Sequence, residues 1–240
     1  MDPYEFKEAL QECEAAVLDL DKCLVDGRVA QGIGKQFLFR EFKRGHLHHV
    51  YRGLANYKKV LQITEEQGEA AGLEYFANIL FSTGCAYSPL IYAFAHRYIE
   101  KHRIPGAKEF VRQIKKIVPL TIISTIGFDI AAYVASNYFQ TNGTNGYVAN
   151  RIVWDADYWA KSLEMKIRDG KDKLDATMEK LHSRGSSGDN IFVLGNDELD
   201  HELMQASKLS VASPLADEET KRIADIWIPD YRLFLEELKV

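Results

Sequence analysis

The sequence predicts an α/β protein, a parallel sheet with flanking helices that is interrupted after its first strand by an all-helical insert. Three observations predict it. Short unbroken apolar runs recur at Ala15–Leu18, Leu120–Ile123 and Ile191–Leu194, the pattern of strands buried on both faces. Stretches with a helical period separate these runs. From about Gly27 to His102 the helical period occurs alone.

Taken in order, a helix-like stretch from Glu5 to Glu12 precedes the first strand, which ends on Asp19-Leu20-Asp21. In the insert, Val50, Leu54, Tyr57 and Leu61 share one apolar stripe; Leu73, Phe76, Ala77 and Leu80 form a second, and Tyr87, Leu90, Ile91, Phe94 and Tyr98 a third. Each stripe is one buried face, so the insert reads as a bundle of about four helices. Pro105-Gly106 marks the return to the sheet, Pro105 fitting the start of a helix whose apolar face holds Phe110, Val111 and Ile114. The second strand follows and ends on Ser124-Thr125. Alternation at Tyr147–Trp154 and at Leu163, Met165 and Ile167 reads as a β-hairpin excursion. A helix is expected from near Lys171 through Leu181, before the third strand, which ends on Gly195-Asn196-Asp197. Apolar segments at Leu209–Ala212 and Ile223–Ile228 and a helix from Tyr231 close the chain.

Composition narrows the class. At 240 residues the chain has room for one or two domains. Hydrophobic residues make up 46% and charged residues 27%, enough apolar mass for a core and too ordered a balance for disorder. A net charge of −5 argues against a nucleic-acid surface. Cys13, Cys23 and Cys85 form no CxxC pair, which argues against a disulfide framework or a cysteine zinc site. The opening MDPYEFKEALQECE lacks a signal pattern, and no run approaches the roughly 20 apolar residues of a membrane span. A cytoplasmic location follows as the expectation, with Asn142-Gly143-Thr144 a turn and not a glycan site. His46-Leu47-His48-His49 reads as a polar helix surface, because adjacent helical residues point in different directions.

Ligands of an open parallel sheet bind beyond the carboxyl ends of its strands. The three strands end there on Asp19/Asp21, Ser124/Thr125 and Asn196/Asp197/Asp200, and Lys171 opens the helix nearby. Carboxylates, a hydroxyl and an ammonium at one sheet edge suit phosphoryl transfer with a divalent metal.

This order of residues resembles the haloacid dehalogenase (HAD) superfamily and, within it, the phosphoserine-phosphatase-like branch. Asp19-Leu20-Asp21-Lys22-Cys23-Leu24 is similar to the nucleophile motif DxDx(T/V), and Ile122-Ile123-Ser124 to the second motif. Asp169-Gly170-Lys171-Asp172-Lys173 resembles the lysine segment, and Gly195-Asn196-Asp197-Glu198-Leu199-Asp200 the fourth motif, GDxxxD. Tyr147-Val148-Ala149-Asn150-Arg151 looks like a segment common in this branch. The resemblance runs from about Glu14 onward and implies a Rossmann-like three-layer core of residues 1–26 and 104–240, with a helical C1-type cap at 27–103.

The resemblance also implies roles. Asp19 would be the nucleophile and Asp21 the general acid and base. Ser124, with Thr125 as the other hydroxyl, would bind the phosphoryl group. Lys171, preferred over Lys173, would neutralise charge and orient Asp19. Mg²⁺ would be held by Asp19, the carbonyl of Asp21, Asn196 and Asp197 or Asp200. Asp26 and Arg28 are candidate contacts to the distal end of the substrate. Two positions depart from the pattern: Cys23 replaces the usual Thr or β-branched residue, and Asn196 replaces the first Asp of the fourth motif, which predicts weaker metal binding. The expected function is a Mg²⁺-dependent phosphatase acting on a small phosphorylated metabolite, with no nucleic-acid or membrane partner. The alternatives are a phosphotransferase of the same fold and a catalytically weak relative that binds a phosphometabolite.

Overall fold

A computed structural model describes residues 3–45, 47–82, 86–141 and 146–237. Helix α1 (Pro3–Gln11) leads into strand β1 (Ala15–Asp19), followed by helices α2 (Val29–Lys43), α3 (Leu47–Gln67), α4 (Glu69–Ser82) and α5 (Ser88–His102). Next come α6 (Ala107–Ile117), β2 (Leu120–Phe128), α7 (Asp129–Tyr138), β3 (Tyr147–Trp154) and β4 (Ala160–Glu164). The chain continues through α8 (Gly170–His182), β5 (Ile191–Gly195), α9 (Glu198–Gln205), β6 (Leu209–Ala212), α10 (Glu218–Ile223), β7 (Ile226–Trp227) and α11 (Tyr231–Glu237).

The strands form one sheet in the order β4-β3-β2-β1-β5-β6-β7, parallel except for the antiparallel edge strand β4. Strand β1 is central, buried along its whole length, and its alternation assigns the two faces. Ala16 and Leu18 face one side, packing in a cluster with Phe6 and Leu10 of α1, Phe110 of α6, Val134 of α7 and Phe234 of α11. Ala15 and Val17 face the other, packing with Ala176 and Leu181 of α8 and Leu203 and Met204 of α9. The result is a three-layer, Rossmann-like α/β fold with helices on both faces. The α2–α5 bundle is continuous with the first cluster through Val29, Ile33, Phe94 and Ile99. Asp19 is the next residue on the Ala15/Val17 face, so β1 directs its carboxylate toward α8 and α9.

Several sequence expectations need correction. Strand β2 does not stop at Ser124-Thr125 but runs to Phe128, its pairing with β3 shifting between Ser124 and Phe128. The hairpin is no excursion: β3 pairs parallel with β2, so it forms the sheet edge. Its second strand lies at Ala160–Glu164 and not at Leu163–Ile167, because Ile167 is packed beneath the sheet. Helix α7 was not among the expected elements; it follows β2 directly and buries Ala131, Ala132, Val134 and Ala135. Among the described residues no helix is long and apolar enough to cross a membrane. Cys85, the Asn142-Gly143-Thr144 turn and the side chains of His46, His48 and His49 lie outside the described residues.

Candidate active site

Strand order places β2 and β5 on either side of β1; the chain leaves β1 toward β2 and leaves β5 toward β6, and the diverging connections open a crevice at the carboxyl ends. Asp19 is level with Ser124 in the pairing of β1 and β2. After Asp19 the chain makes a tight loop in which Lys22 donates its N–H to the Val25 carbonyl at 2.7 Å, with Lys22 at φ 60°. A non-glycine residue in that region carries backbone strain. The loop turns Asp21 back over the strand end, where Oδ1 accepts the Val29 N–H at 2.7 Å and Oδ2 accepts the Thr125 hydroxyl at 3.0 Å. Both aspartates therefore reach one crevice although a straight strand would not bring them there in this way.

The cation at the site is Lys173 and not Lys171. Its ammonium donates to Asp19 Oδ1 at 2.6 Å and to Asp200 Oδ1 at 2.6 Å. Helix phase explains the correction: Gly170, Lys173 and Thr177 form the inward stripe of α8, whereas Lys171 is exposed. The three charged residues are 6% exposed at Asp19, 2% at Lys173 and 1% at Asp200, a buried triad whose charges depend on one another. Burial alone would lower the Lys173 pKa, but the Asp19 and Asp200 carboxylates outweigh it and hold the ammonium charged. Burial raises the pKa of Asp19, partly offset by Lys173, and it raises that of Asp200 in the same way. Burial also raises Asp21, against the opposing hydrogen bonds from Val29 and Thr125.

The turn from β5 into α9 supplies the rest. Asp200 Oδ2 accepts the Asn196 N–H at 2.9 Å, and Asp197 caps α9 by accepting the Leu199 N–H at 3.3 Å. A Cβ on Gly195 would fall 2.6 Å from Cβ of Asp200, so only glycine lets the helix start this close to the strand. Cys23 donates its thiol to Asn196 Oδ1 at 3.4 Å. Asn196 Nδ2 is buried with no hydrogen-bond partner among the described residues.

Ser124 sits beside Asp19, but its hydroxyl lies 3.4 Å from that of Thr177 on α8, and Thr125 is the hydroxyl bordering the hollow. Asp26 is exposed and its carbonyl accepts from Tyr98, away from the hollow. Arg28 does border it, ion-paired to Glu69 at the start of α4. Lys22 and Glu69 were missed in the sequence; Lys22 adjoins the aspartate motif, but nothing local signals Glu69. Asn150 was also unassigned: its side chain donates to the carbonyls of Ile126 and Ile167 and accepts the N–H groups of Lys166 and Ile167.

The donor set suits a small hard cation. Asp19, Asn196 and the nearby Asp197 offer oxygen ligands, the kind Mg²⁺ prefers. Asp19, Cys23 and Asp200 each bring one possible ligand atom within 4.8 Å of the others, though Lys173 already occupies one oxygen of Asp19 and one of Asp200. The carboxylates of Asp19, Asp21, Glu69, Asp197 and Asp200 exceed the cations Lys22, Arg28 and Lys173, and a phosphate dianion would widen that excess. One end of the Asn196 amide meets Cys23 and the other meets nothing; turned over, its oxygen would be the atom lacking a partner. A divalent cation would answer the charge, and with the amide turned over it would also meet the freed Asn196 oxygen.

No protein-family model matches the sequence, and no curated protein sequence matches it. Solved structures do. A phosphoserine phosphatase in apo form is 17% identical, with a TM-score of 0.65 over 93% of this chain and 98% of its own. A phosphoserine phosphatase held as an analogue of its phospho-aspartyl intermediate is 18% identical, with a TM-score of 0.65 over 94% and 98%. A HAD family hydrolase of Salmonella enterica serovar Typhi is 13% identical, with a TM-score of 0.68 over 94% of this chain and 71% of that one. The fold of this chain is thus the haloacid dehalogenase, phosphoserine-phosphatase-like fold.

Proposed function

We propose that this chain is a Mg²⁺-dependent phosphatase that hydrolyses a small organic phosphomonoester through an aspartyl-phosphate on Asp19. The observation that carries the reading is the buried Asp200–Lys173–Asp19 relay beside a second carboxylate, Asp21, in one crevice. Residues 27–103 act as the cap over a core of 1–26 and 104–240. The buried free thiols of Cys13 and Cys23 fit a cytoplasmic setting.

Lys173 fixes Oδ1 of Asp19, leaving the other carboxylate oxygen to attack phosphorus. As the new P–O bond forms, the ester P–O bond breaks, and Asp21 gives its proton to the departing alcohol oxygen. The raised pKa of Asp21 favours holding that proton until transfer. Asp21 then takes a proton from water, whose oxygen attacks phosphorus and breaks the bond to Asp19, releasing phosphate. Lys22 and Lys173 are the cationic donors bordering the phosphoryl position, and Thr125 on the same rim gives its hydroxyl proton to Asp21. Asp19, the carbonyl of Asp21, Asn196 and Asp197 would hold Mg²⁺, which when bound supplies positive charge against the phosphoryl oxygens. Asp200 has both oxygens engaged, by Lys173 and by the Asn196 N–H, and acts by positioning.

The neutral amide of Asn196 favours a second reading, a weak relative that binds a phosphometabolite. Phosphate release from a generic aryl phosphate, with and without Mg²⁺, decides between them. Metal-dependent release that is lost in Asp19→Asn is the expected result. Uptake of a phosphate mimic with no release by the wild type would establish the binder, and release to an added alcohol in place of water would establish a phosphotransferase.

A further inference from the structure

Two hollows meet at Asp21. The first contains Asp19, Lys173 and Thr125. The second lies under the insert helices, walled by Tyr57, Val60 and Thr64 of α3, Leu73 and Phe76 of α4, and Ile126 of β2. Asp21, Arg28, Glu69 and Ile126 border both.

The second hollow has little polar capacity to spare. Tyr57, Val60 and Thr64 are spaced to share one face of α3. Thr64 commits its hydroxyl proton to the Val60 carbonyl at 2.9 Å. Arg28 and Glu69, the charged pair at the neck, are ion-paired with each other. A Cβ on Gly72 would fall 1.9 Å from Thr64 Oγ1, so α3 and α4 approach closely and shut the back of the hollow. Phe76 is braced by Phe128, their rings stacked at 6.1 Å and 19°. Gln31 and Tyr57 are the polar side chains left to meet a ligand.

Asp21 joins the two spaces, and in the proposed reaction it protonates the ester oxygen. A phosphoryl group beside Asp19 therefore directs the carbon attached to that oxygen into the second hollow. Resting on that reading for the position of the phosphoryl group, we infer that the alcohol part of the substrate is a compact, uncharged, mainly apolar group, aryl or branched alkyl. Zwitterionic amino-acid esters and sugar phosphates are disfavoured, because they would leave charges or hydroxyls facing apolar walls.

The test uses phosphonates, whose binding needs no turnover. Benzylphosphonate, methylphosphonate and the zwitterionic 2-amino-3-phosphonopropionate are titrated into the whole protein in Mg²⁺ buffer by calorimetry. Benzylphosphonate is expected to bind at least about tenfold more tightly than either of the others, the effect of burying a ring's apolar surface. Leu73→Asp should reduce the benzyl-to-methyl affinity ratio to near unity. Val60→Phe, which fills the hollow without introducing charge, should do the same and guards against a folding defect in the first variant. Equal affinity for the three, tighter binding of the zwitterion, or no binding by any overturns the inference. Phosphate release from benzyl phosphate is followed in parallel. Benzyl-selective binding without release overturns the phosphatase reading and leaves this inference standing.

Discussion

The Cys23 thiol donates to Asn196 Oδ1 across 3.4 Å, tying the loop after β1 to the end of β5. These are the two positions at which the sequence departs from the motifs it resembles, and they touch. Burial pushes the Cys23 thiol well above its ordinary pKa, with Asp19 and Asp200 adding to the rise, so it remains a protonated donor. The loop is held from elsewhere too: Tyr231 donates its hydroxyl to the Cys23 carbonyl at 2.8 Å and Ser213 donates to the Lys22 carbonyl at 3.1 Å. The weak thiol therefore does not have to carry the loop alone, and a neutral amide opposite a neutral thiol is a consistent pair.

Asn196→Asp restores a negative charge at the orphaned amide. A unit charge a few ångströms from a divalent cation is worth on the order of a few kcal/mol at the effective dielectric of such sites, so Mg²⁺ affinity should rise by about tenfold or more. Calorimetric Mg²⁺ titration checks this directly, alongside the Mg²⁺ dependence of phosphate release. An affinity unchanged or weaker in the variant removes Asn196 from the ligand set.

The two lysines at the start of α8 separate cleanly. Lys173→Met leaves Asp19 and Asp200 buried and unpaired, which should cost about 3–5 kcal/mol of stability and abolish phosphate release. Lys171→Ala, at an exposed position, should stay within about 0.5 kcal/mol of wild type and keep turnover. Urea unfolding and phosphate release on the same preparations give both readouts. Comparable damage from both substitutions would contradict the helix phase described above.

Why one lysine was legible and the other chosen has a physical basis. The strand runs at Ala15, Leu120 and Ile191 were visible because strands buried on both faces leave no room for polar residues. Their polar ends were visible for the same reason, as the run simply stops. The segment holding Lys171 and Lys173 carries no apolar stripe at its start: the inward face of α8 opens on Gly170 and Lys173 and becomes apolar only at Ala176 and Leu181. Helix α7 was hidden because its small apolar residues follow those of β2 with only Asp129 between them. Glu69 and Asn150 act through partners far away in sequence, Arg28 and Ile126, and no local pattern records such pairings.

Asn150 illustrates how such a residue can matter. One fully buried side chain satisfies four backbone groups: the Ile126 carbonyl near Thr125, and the Ile167 carbonyl with the Lys166 and Ile167 N–H groups in the turn leading to α8. Asn150→Ala strands those groups without partners, at about 1–3 kcal/mol for each buried group that water cannot reach. A loss of roughly 2–4 kcal/mol in urea unfolding is expected, given partial relaxation. Asn150→Asp keeps the two acceptor contacts and loses the donors, so it should fall between alanine and wild type. A neutral alanine variant would mean that water replaces the clasp.

Glu14 provides a pH-dependent contribution remote from the chemistry. Between α1 and β1 its carboxylate accepts the Ser187 hydroxyl at 2.7 Å, the Ser187 N–H at 3.1 Å and the Gly188 N–H at 2.8 Å, fastening the loop before β5. The hydrogen bond from Ser187 is the main cause that lowers its pKa from 4.5 to about 2. A carboxyl group depressed on folding binds its proton more readily when unfolded, so its stabilisation is full above the ordinary value of 4.5 and disappears as pH falls through about 2. Glu14→Gln lacks that titration. The stability difference between wild type and Glu14→Gln should therefore be largest at about pH 6 and already reduced at about pH 3, read from urea midpoints at both. A difference that stays constant across that range would show that the carboxylate's charge contributes nothing and that the loop is held by shape and neutral hydrogen bonding alone.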